Sequence, residues 1–161
     1  MYKIKLLILL LSSLLFSCTS VGYKTAQKFS IDYIGGEVDG LIFANYLKGY
    51  LNNMQMYDKG SNYKITATIN HENNVYITNV NNTSDREKVS SHIKVRIVDF
   101  QNKCDIYKYN DDVEQFYVIS SSINFTSNNK ALEKLKENNA EILVREFVYK
   151  LSLLEDLNCI E

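Results

Sequence analysis

The middle of the chain alternates apolar and polar residues over three stretches, a pattern typical of half-buried β-strands. They read YKITATI (63–69), SSHIKVRIVDF (90–100) and EQFYVISSSINF (114–125). The polar run HENN predicts a break after the first stretch, with VYITNV continuing it in the opposite sense, and QNKCD predicts a turn before the last one. Together the stretches predict an antiparallel meander that has one buried face and one polar face.

A fourth strand and a helix are predicted ahead of this meander. The segment FSIDYI (29–34) alternates, with Phe29, Ile31 and Tyr33 on one face, and Gly35-Gly36 closes it. Asp39 is predicted to cap the helix that follows, because its carboxylate accepts from free N–H groups of a first turn. The apolar stripe of that helix falls near helical spacing. Its members are Leu41, Ala44, Leu47, Lys48, Leu51 and Met54.

The strongest pattern lies near the end of the chain, where a long amphipathic helix is predicted from Asn128 onward. Its apolar stripe is interrupted at Asn139, and a stripe of that width has to pack on a sheet or a partner. The order of elements, β-α-β-β-β-α, predicts an α+β two-layer domain with two helices on one face of a four-stranded, mostly antiparallel sheet. The stripe consists of Leu132, Leu135, Ile142, Leu143, Phe147, Leu151 and Leu154.

The first residues form a segment of a different kind. Lys3 and Lys5 precede the apolar run LLILLLSSLLF (6–16), which as a helix covers only about 17 Å of the ~30 Å hydrocarbon core of a bilayer. A cleaved signal peptide therefore explains the segment better than a spanning helix does. We accordingly expect residues 1–17 to be a signal peptide.

The residues around Cys18 indicate the kind of signal peptide. Leu15-Phe16-Ser17-Cys18 resembles a bacterial lipobox, although Phe16 replaces the usual small residue. The prediction is a lipoprotein signal peptide at 1–17, a lipidated tether at 18–28 that begins at Cys18, and one domain at 29–161. The alternatives are an ordinary secretory signal or a buried apolar strand that happens to contain a cysteine.

Composition and charge narrow the function classes. Removal of 17 of the 161 residues leaves 144, enough for one domain, and the loss of Lys3 and Lys5 leaves 16 basic against 19 acidic residues. This mild negative charge gives no reason to expect nucleic acid as a partner. Cys104 and Cys159 then form an even pair in an oxidising compartment, either as a disulfide or as two free thiols.

No catalytic constellation stands out in the sequence. The two histidines, His71 and His92, lie outside any nucleophile motif, and the pair Asp111-Asp112 reads as a solvated turn. No metal-ligand spacing and no glycine-rich phosphate loop is present. The prediction is therefore a protein that is not an enzyme and binds neither a cofactor nor a metal.

The whole arrangement resembles the LPS-assembly lipoprotein (LptE) family. The resemblance covers nearly all of residues 18–154 and includes a lipidated Cys, a tether and the element order. DREKVSSHIKVRIVDF resembles the third strand of that family, and EQFYVISSSINFTSNNKALEKLKENNAEILVREFVYKLSLL resembles its fourth strand, connection and last helix. It rests on order and pattern rather than on an invariant motif.

The resemblance implies a binding and structural role at the periplasmic face of the outer membrane. Members of the family plug and help to assemble the LptD β-barrel and contact lipopolysaccharide. The basic residue of the family's connection matches Lys134, whereas its basic residue before the third strand has no counterpart, and Arg86 and Lys88 are nearest. The alternatives are another outer-membrane interaction lipoprotein, such as a barrel-assembly accessory or a cell-wall synthase activator, and an outer-membrane hydrolase.

Overall fold

The computed structural model describes residues 27–77, 85–118, 125–154 and 157–160. The predicted signal peptide, Cys18 and most of the tether lie outside the described residues. The predicted α+β class and element order are confirmed. The elements are β1 (Ser30–Gly35), α1 (Glu37–Asn53), β2 (Tyr63–Ile77), β3 (Asp85–Asp99), β4 (Cys104–Val118) and α2 (Phe125–Ser152).

The four strands form one mixed sheet in the order β1-β2-β3-β4. β1 lies parallel to β2, and the other two pairs are antiparallel. The register of β2 on β3 runs without interruption from Tyr63 opposite Asp99 to Ile77 opposite Asp85. Since β1 is short, the second half of β2, with β3 and β4, extends beyond it.

The sequence misplaced two features of this sheet. HENN does not break the first long strand, because residues 71–74 pair with residues 91–88 of β3. Asp111-Asp112 is not a turn: β4 begins at Cys104, and these carboxylates lie within it, opposite Ile93 and His92. An edge strand tolerates them because its outer side remains in water. The strand predicted at 114–125 is therefore confirmed for residues 114–118 but begins ten residues too late, residues 119–124 lie outside the described residues, and Phe125 already belongs to α2.

The start of α1 also differs from the prediction. The helix begins at Glu37 behind Gly36, so Asp39 lies in its first turn and does not cap it. Gly36 has a φ of 118°, and a Cβ there would lie 2.6 Å from the carbonyl oxygen of Ile69. Only glycine adopts this positive φ without strain and also leaves room for the carbonyl oxygen of Ile69.

β1 contains an irregularity that the alternation did not reveal. Its register on β2 shifts between Ile31 and Ile34, so Tyr33 does not share the buried face of Phe29. The Tyr33 side chain is 65% exposed instead. It lies on the side of the sheet opposite the helices, beside Thr68.

The core lies between the helices and one face of the sheet. Leu47, Leu51, Leu143, Phe147 and Leu151 are buried, which confirms the centre of both predicted stripes. Leu41 was predicted to be buried and is 67% exposed. The buried face of α1 is set instead by Gly40, where a Cβ would lie 2.9 Å from the carbonyl oxygen of Gly35.

A disulfide fixes the end of the chain. Cys104 and Cys159 are joined, with their Cα atoms 5.6 Å apart. Beside it, the backbone N–H of Ile160 donates to the carbonyl oxygen of Asp105 at 2.7 Å. The tail is therefore held against the first residues of β4. No helix in the described ranges combines the length and the apolar character that a membrane crossing requires.

Candidate functional site

The face of the sheet opposite the helices carries polar and charged side chains, and we call it the open face. As predicted, β3 directs Lys94 and Arg96 to this face while Ile93, Val95 and Ile97 are buried. Strand pairing places Lys94 opposite Asn110 and Arg96 opposite Lys108. Three cations therefore meet on two neighbouring strands.

These cations line a shallow groove of about 380 Å³. Asp105 accepts hydrogen bonds from Lys108 and Arg96, and these bonds hold the pKa of its carboxyl below the usual range. Lys94 forms no ion pair within the described part of the chain. Of the three cations of the groove, Lys94 is thus the one whose charge no described carboxylate neutralises. The groove is lined by Tyr33, Thr66, Ala67, Thr68, Lys94, Val95, Arg96, Lys108 and Asn110.

Two of the residues assigned through the family resemblance, Arg86 and Lys88, lie on β3 toward the far end of the open face. The Lys88 ammonium contacts Glu114 at 2.7 Å, and that hydrogen bond lowers the pKa of the Glu114 carboxyl. The exposed Arg86 lies across from Val118. Phe116 and Val118 are 56% and 60% exposed, so this end combines cations with apolar surface.

Lys134, the third such residue, lies on the helix layer. Its ammonium is exposed and contacts Glu137 at 2.8 Å, and this interaction raises the pKa of Lys134. The Tyr46 hydroxyl on α1 donates to the same Glu137 at 3.4 Å. Lys134 thus lies by the seam between the helices, across the sheet from Arg86 and Lys88. The three residues do not form one cluster, and lipopolysaccharide contact through them stays a prediction.

A buried polar cluster joins the sheet to both helices, and sequence reasoning missed it. It contains His71 on β2, Ser91 on β3, Asn139 on α2 and Asp39 on α1. His71 Nδ1 lies 2.6 Å from Ser91 Oγ, and Asn139 Nδ2 donates to the same oxygen at 2.8 Å. His71 Nε2 lies 3.7 Å from Asp39 Oδ2, and the imidazole is 2% exposed.

The cluster has the residue types of a hydrolase triad but lacks an accessible nucleophile. Ser91 is fully buried, so no substrate carbonyl reaches its oxygen. The contacts fit a hydrogen-bond network in which Asn139 donates to Ser91, Ser91 donates to a neutral His71, and the other imidazole N–H points toward Asp39. This network gives the buried polar side chains hydrogen-bond partners and holds the sheet and the helices in register. Among the side-chain nitrogen and oxygen atoms of the described residues, only Asn139 Oδ1 is buried without a partner.

Two signals in the sequence point to this cluster. Asn139 interrupts the apolar stripe of α2, and a buried amide needs polar partners. His71 is in phase with Ile65, Ala67 and Ile69, so a continuous strand directs it toward the helices. Because a break in the strand was predicted at HENN, the direction of the His71 side chain was not inferred from the sequence.

The cluster predicts a pH dependence of stability. Burial lowers the pKa of His71 below 6.5, Asp39 opposes that shift, and the Lys136 charge adds to it. Because the folded pKa lies below the unfolded one, the stabilisation is complete above about pH 6.5 and is lost as the pH falls below it. The free energy of unfolding, measured by urea denaturation, should fall there with a slope of up to about 1.4 kcal/mol per pH unit.

His71→Gln serves as the comparison, because glutamine keeps a hydrogen-bonding group that does not titrate. The difference in unfolding free energy between wild type and variant should shrink as the pH is lowered. A difference that stays constant across this range would show that His71 is not held neutral by the fold.

Metal binding finds no support in the described ranges, which contain no group of three or more His, Cys, Asp or Glu side chains placed to hold an ion. The groove on the open face presents cations that can meet anionic groups, and the exposed apolar residues offer surface for apolar groups of a partner.

Comparisons with known proteins find solved structures that have a similar fold. No model of a protein family matches the sequence, and no curated protein is significantly similar to it. Among solved structures, rare lipoprotein B from Shewanella oneidensis is similar with a TM-score of 0.62 at 6% identity, over 78% of this chain and 94% of that one. A minor lipoprotein from Acinetobacter baumannii has a TM-score of 0.59 at 13% identity, over 78% and 90%. Identities this low show a common fold.

Proposed function

We propose that this protein is an outer-membrane lipoprotein, lipidated at Cys18 and facing the periplasm, that serves as plug and assembly partner of an LptD-like β-barrel in lipopolysaccharide export. In this role it contacts lipopolysaccharide and performs no chemical reaction. The lipid holds the domain at the membrane, and the folded domain supplies the binding surface.

One observation carries the proposal. A lipobox-like cysteine precedes a domain whose fold is shared with rare lipoprotein B over 94% of that chain. The same element order led to the resemblance to the LPS-assembly family from the sequence alone. The disulfide between Cys104 and Cys159 supports a location in the cell envelope, because disulfides persist in oxidising compartments. It also uses the other two of the three cysteines, so that Cys18 remains for the lipid.

The surface chemistry suits the interior of a wide barrel. Such interiors are polar and filled with water. The open face carries charged and amide side chains, which are compatible with that environment. In the proposed role, Lys94 meets a phosphate of lipid A through a charge-assisted hydrogen bond. Phe116 and Val118 lie at the far end of the same face, where acyl chains or barrel side chains could cover them.

Depletion of the protein in its host tests the assembly role. The amount of folded LPS-export barrel in the outer membrane should fall, and lipopolysaccharide should decrease at the cell surface. A copy of the gene encoding Cys18→Ala should restore neither, whereas the wild-type copy restores both. Unchanged barrel folding and surface lipopolysaccharide after depletion would contradict the proposal.

Charge reversal tests the lipopolysaccharide contact. Lys94→Glu removes the cation of the groove that no described carboxylate neutralises, and the double variant Arg86→Glu with Lys134→Glu removes two of the three cations assigned by resemblance. Each variant loses at least one hydrogen bond to a charged group, so each should bind purified lipopolysaccharide at least about tenfold more weakly. Lys150→Glu, on an exposed position of α2, is the matched control. Binding equal to this control would exclude the tested residues from the contact.

A further inference from the structure

One end of the domain gathers the start of the described chain, two turns and the tail, and we call it the tether end. Ser61 Oγ donates to the carbonyl oxygen of Lys28, next to the tether. The N–H of Phe100 donates to the carbonyl oxygen of Asn62 at 2.9 Å, which joins the two turns. Ile160 is held at the same end through its bond to Asp105.

The tether end exposes apolar groups beside cations. Phe100 is 61% exposed at the turn between β3 and β4, and Ile160 is 48% exposed on the tail. The Lys64 ammonium lies 3.8 Å from the centre of the Phe100 ring. Lys59 and Lys103 are exposed in the two turns that flank it. An apolar tip surrounded by ammonium groups is the composition that an anionic lipid surface attracts.

Few acidic groups oppose these cations among the described residues of the tether end. Asp99 is buried and accepts the N–H groups of Gln101 and Asn102, which hold the pKa of its carboxyl below the usual range. Asp58 accepts from the N–H of Gly60. Apart from Asp105, which pairs with Arg96 and Lys108, four lysines of this end therefore stand against two carboxylates, both of them engaged. The lysines are Lys28, Lys59, Lys64 and Lys103.

The length of the tether keeps this end close to a bilayer. Nine residue steps separate Cys18 from Gln27, and at about 3.6 Å per step they reach at most about 32 Å. β2 alone, with 15 residues at about 3.3 Å each, extends about 50 Å away from that point. A lipid on Cys18 therefore brings the tether end to the membrane before any other part of the domain.

We propose that the tether end is a membrane-contacting surface for anionic phospholipid. Phe100 and Ile160 enter the interface between headgroups and acyl chains, while Lys59, Lys64 and Lys103 meet lipid phosphates. The contact orients the long strands away from the bilayer, so that the far end of the sheet is the part offered to a partner. The inference rests on the lipidated anchor of the proposed function.

The absence of tryptophan from the sequence provides a direct test. The full lipidated chain is prepared as Phe100→Trp and, as matched control at the far end of the open face, as Phe116→Trp. Both native rings are more than half exposed. Each protein is reconstituted into vesicles of phosphatidylethanolamine and phosphatidylglycerol that contain brominated lipid, and tryptophan quenching is measured after flotation.

The expected result is strong quenching and a blue shift of the emission for Phe100→Trp, and little of either for Phe116→Trp. Adding Lys59→Glu and Lys103→Glu to the first variant should reduce its quenching. If the proteins float with the vesicles but Phe100→Trp is not quenched, or both positions are quenched alike, the membrane contact is wrong while the anchor stands. Failure to float would overturn the anchor and, with it, this surface.

Discussion

Cys18→Ala is expected to release the protein from the membrane completely. Each buried CH₂ group of an acyl chain contributes about 0.8 kcal/mol, and several chains on one residue exceed what stable anchoring requires. The described residues contain no helix able to replace that attachment. Radioactive palmitate should label the wild-type protein and not the variant, and the variant should move to the soluble fraction of broken cells.

Matched variants separate this effect from a general folding defect. Cys104→Ser with Cys159→Ser removes the other two cysteines and should keep the palmitate label. Phe16→Ala restores a small residue to the lipobox-like motif and should be processed at least as well as wild type. Label that persists in Cys18→Ala would refute lipidation at this position and return the first residues to one of the other two interpretations.

Removal of the Cys104–Cys159 disulfide is expected to cost a large share of the domain's stability. The bond closes a loop with a sequence separation of 55. Restriction of the unfolded chain by such a loop is worth about 4 kcal/mol in the chain-entropy model, and measured values are commonly about 2–4 kcal/mol. A typical domain has a free energy of unfolding of only about 5–15 kcal/mol. Urea denaturation of protein produced without residues 1–18 measures the loss.

The control for this prediction is chemical reduction. Reduced wild type and the double variant Cys104→Ser with Cys159→Ser should unfold at the same urea concentration, and reductant should not change the variant. The hydrogen bond from Ile160 to Asp105 should weaken as well, because the disulfide that holds the end of the chain there is lost. Equal stability of oxidised wild type and double variant would show that the bond does not constrain the unfolded chain.

The sequence predicted those parts of the fold that a single periodicity determines. Leu143, Phe147 and Leu151 recur at helical spacing, and Ile93, Val95 and Ile97 alternate cleanly, so both elements were predicted with the correct buried face. The failures occurred where tertiary contacts override local composition. Residues 71–74 are polar and turn-like in isolation, but the ladder to β3 continues through them.

The candidate site was predictable only in part, for the same reason. The alternation of β3 placed Lys94 and Arg96 on the open face, yet the pairing of Arg96 with Asp105 required the position of β4, which the sequence misplaced. The buried cluster depended on four elements meeting, so Asn139 appeared only as an interruption of a stripe. Pairing of Cys104 with Cys159 likewise required a tail position that no periodicity specifies.

The proposed partnership has one most direct test. Wild-type protein, lipidated and carrying a C-terminal affinity tag, is purified from detergent-solubilised outer membrane of its host, and the proteins that co-purify are identified and quantified. The account predicts a large LPS-export β-barrel recovered in amounts comparable to the tagged protein, and its loss from the Cys18→Ala sample. Recovery of a cell-wall synthase or a barrel-assembly complex, with no LPS-export barrel, would contradict it.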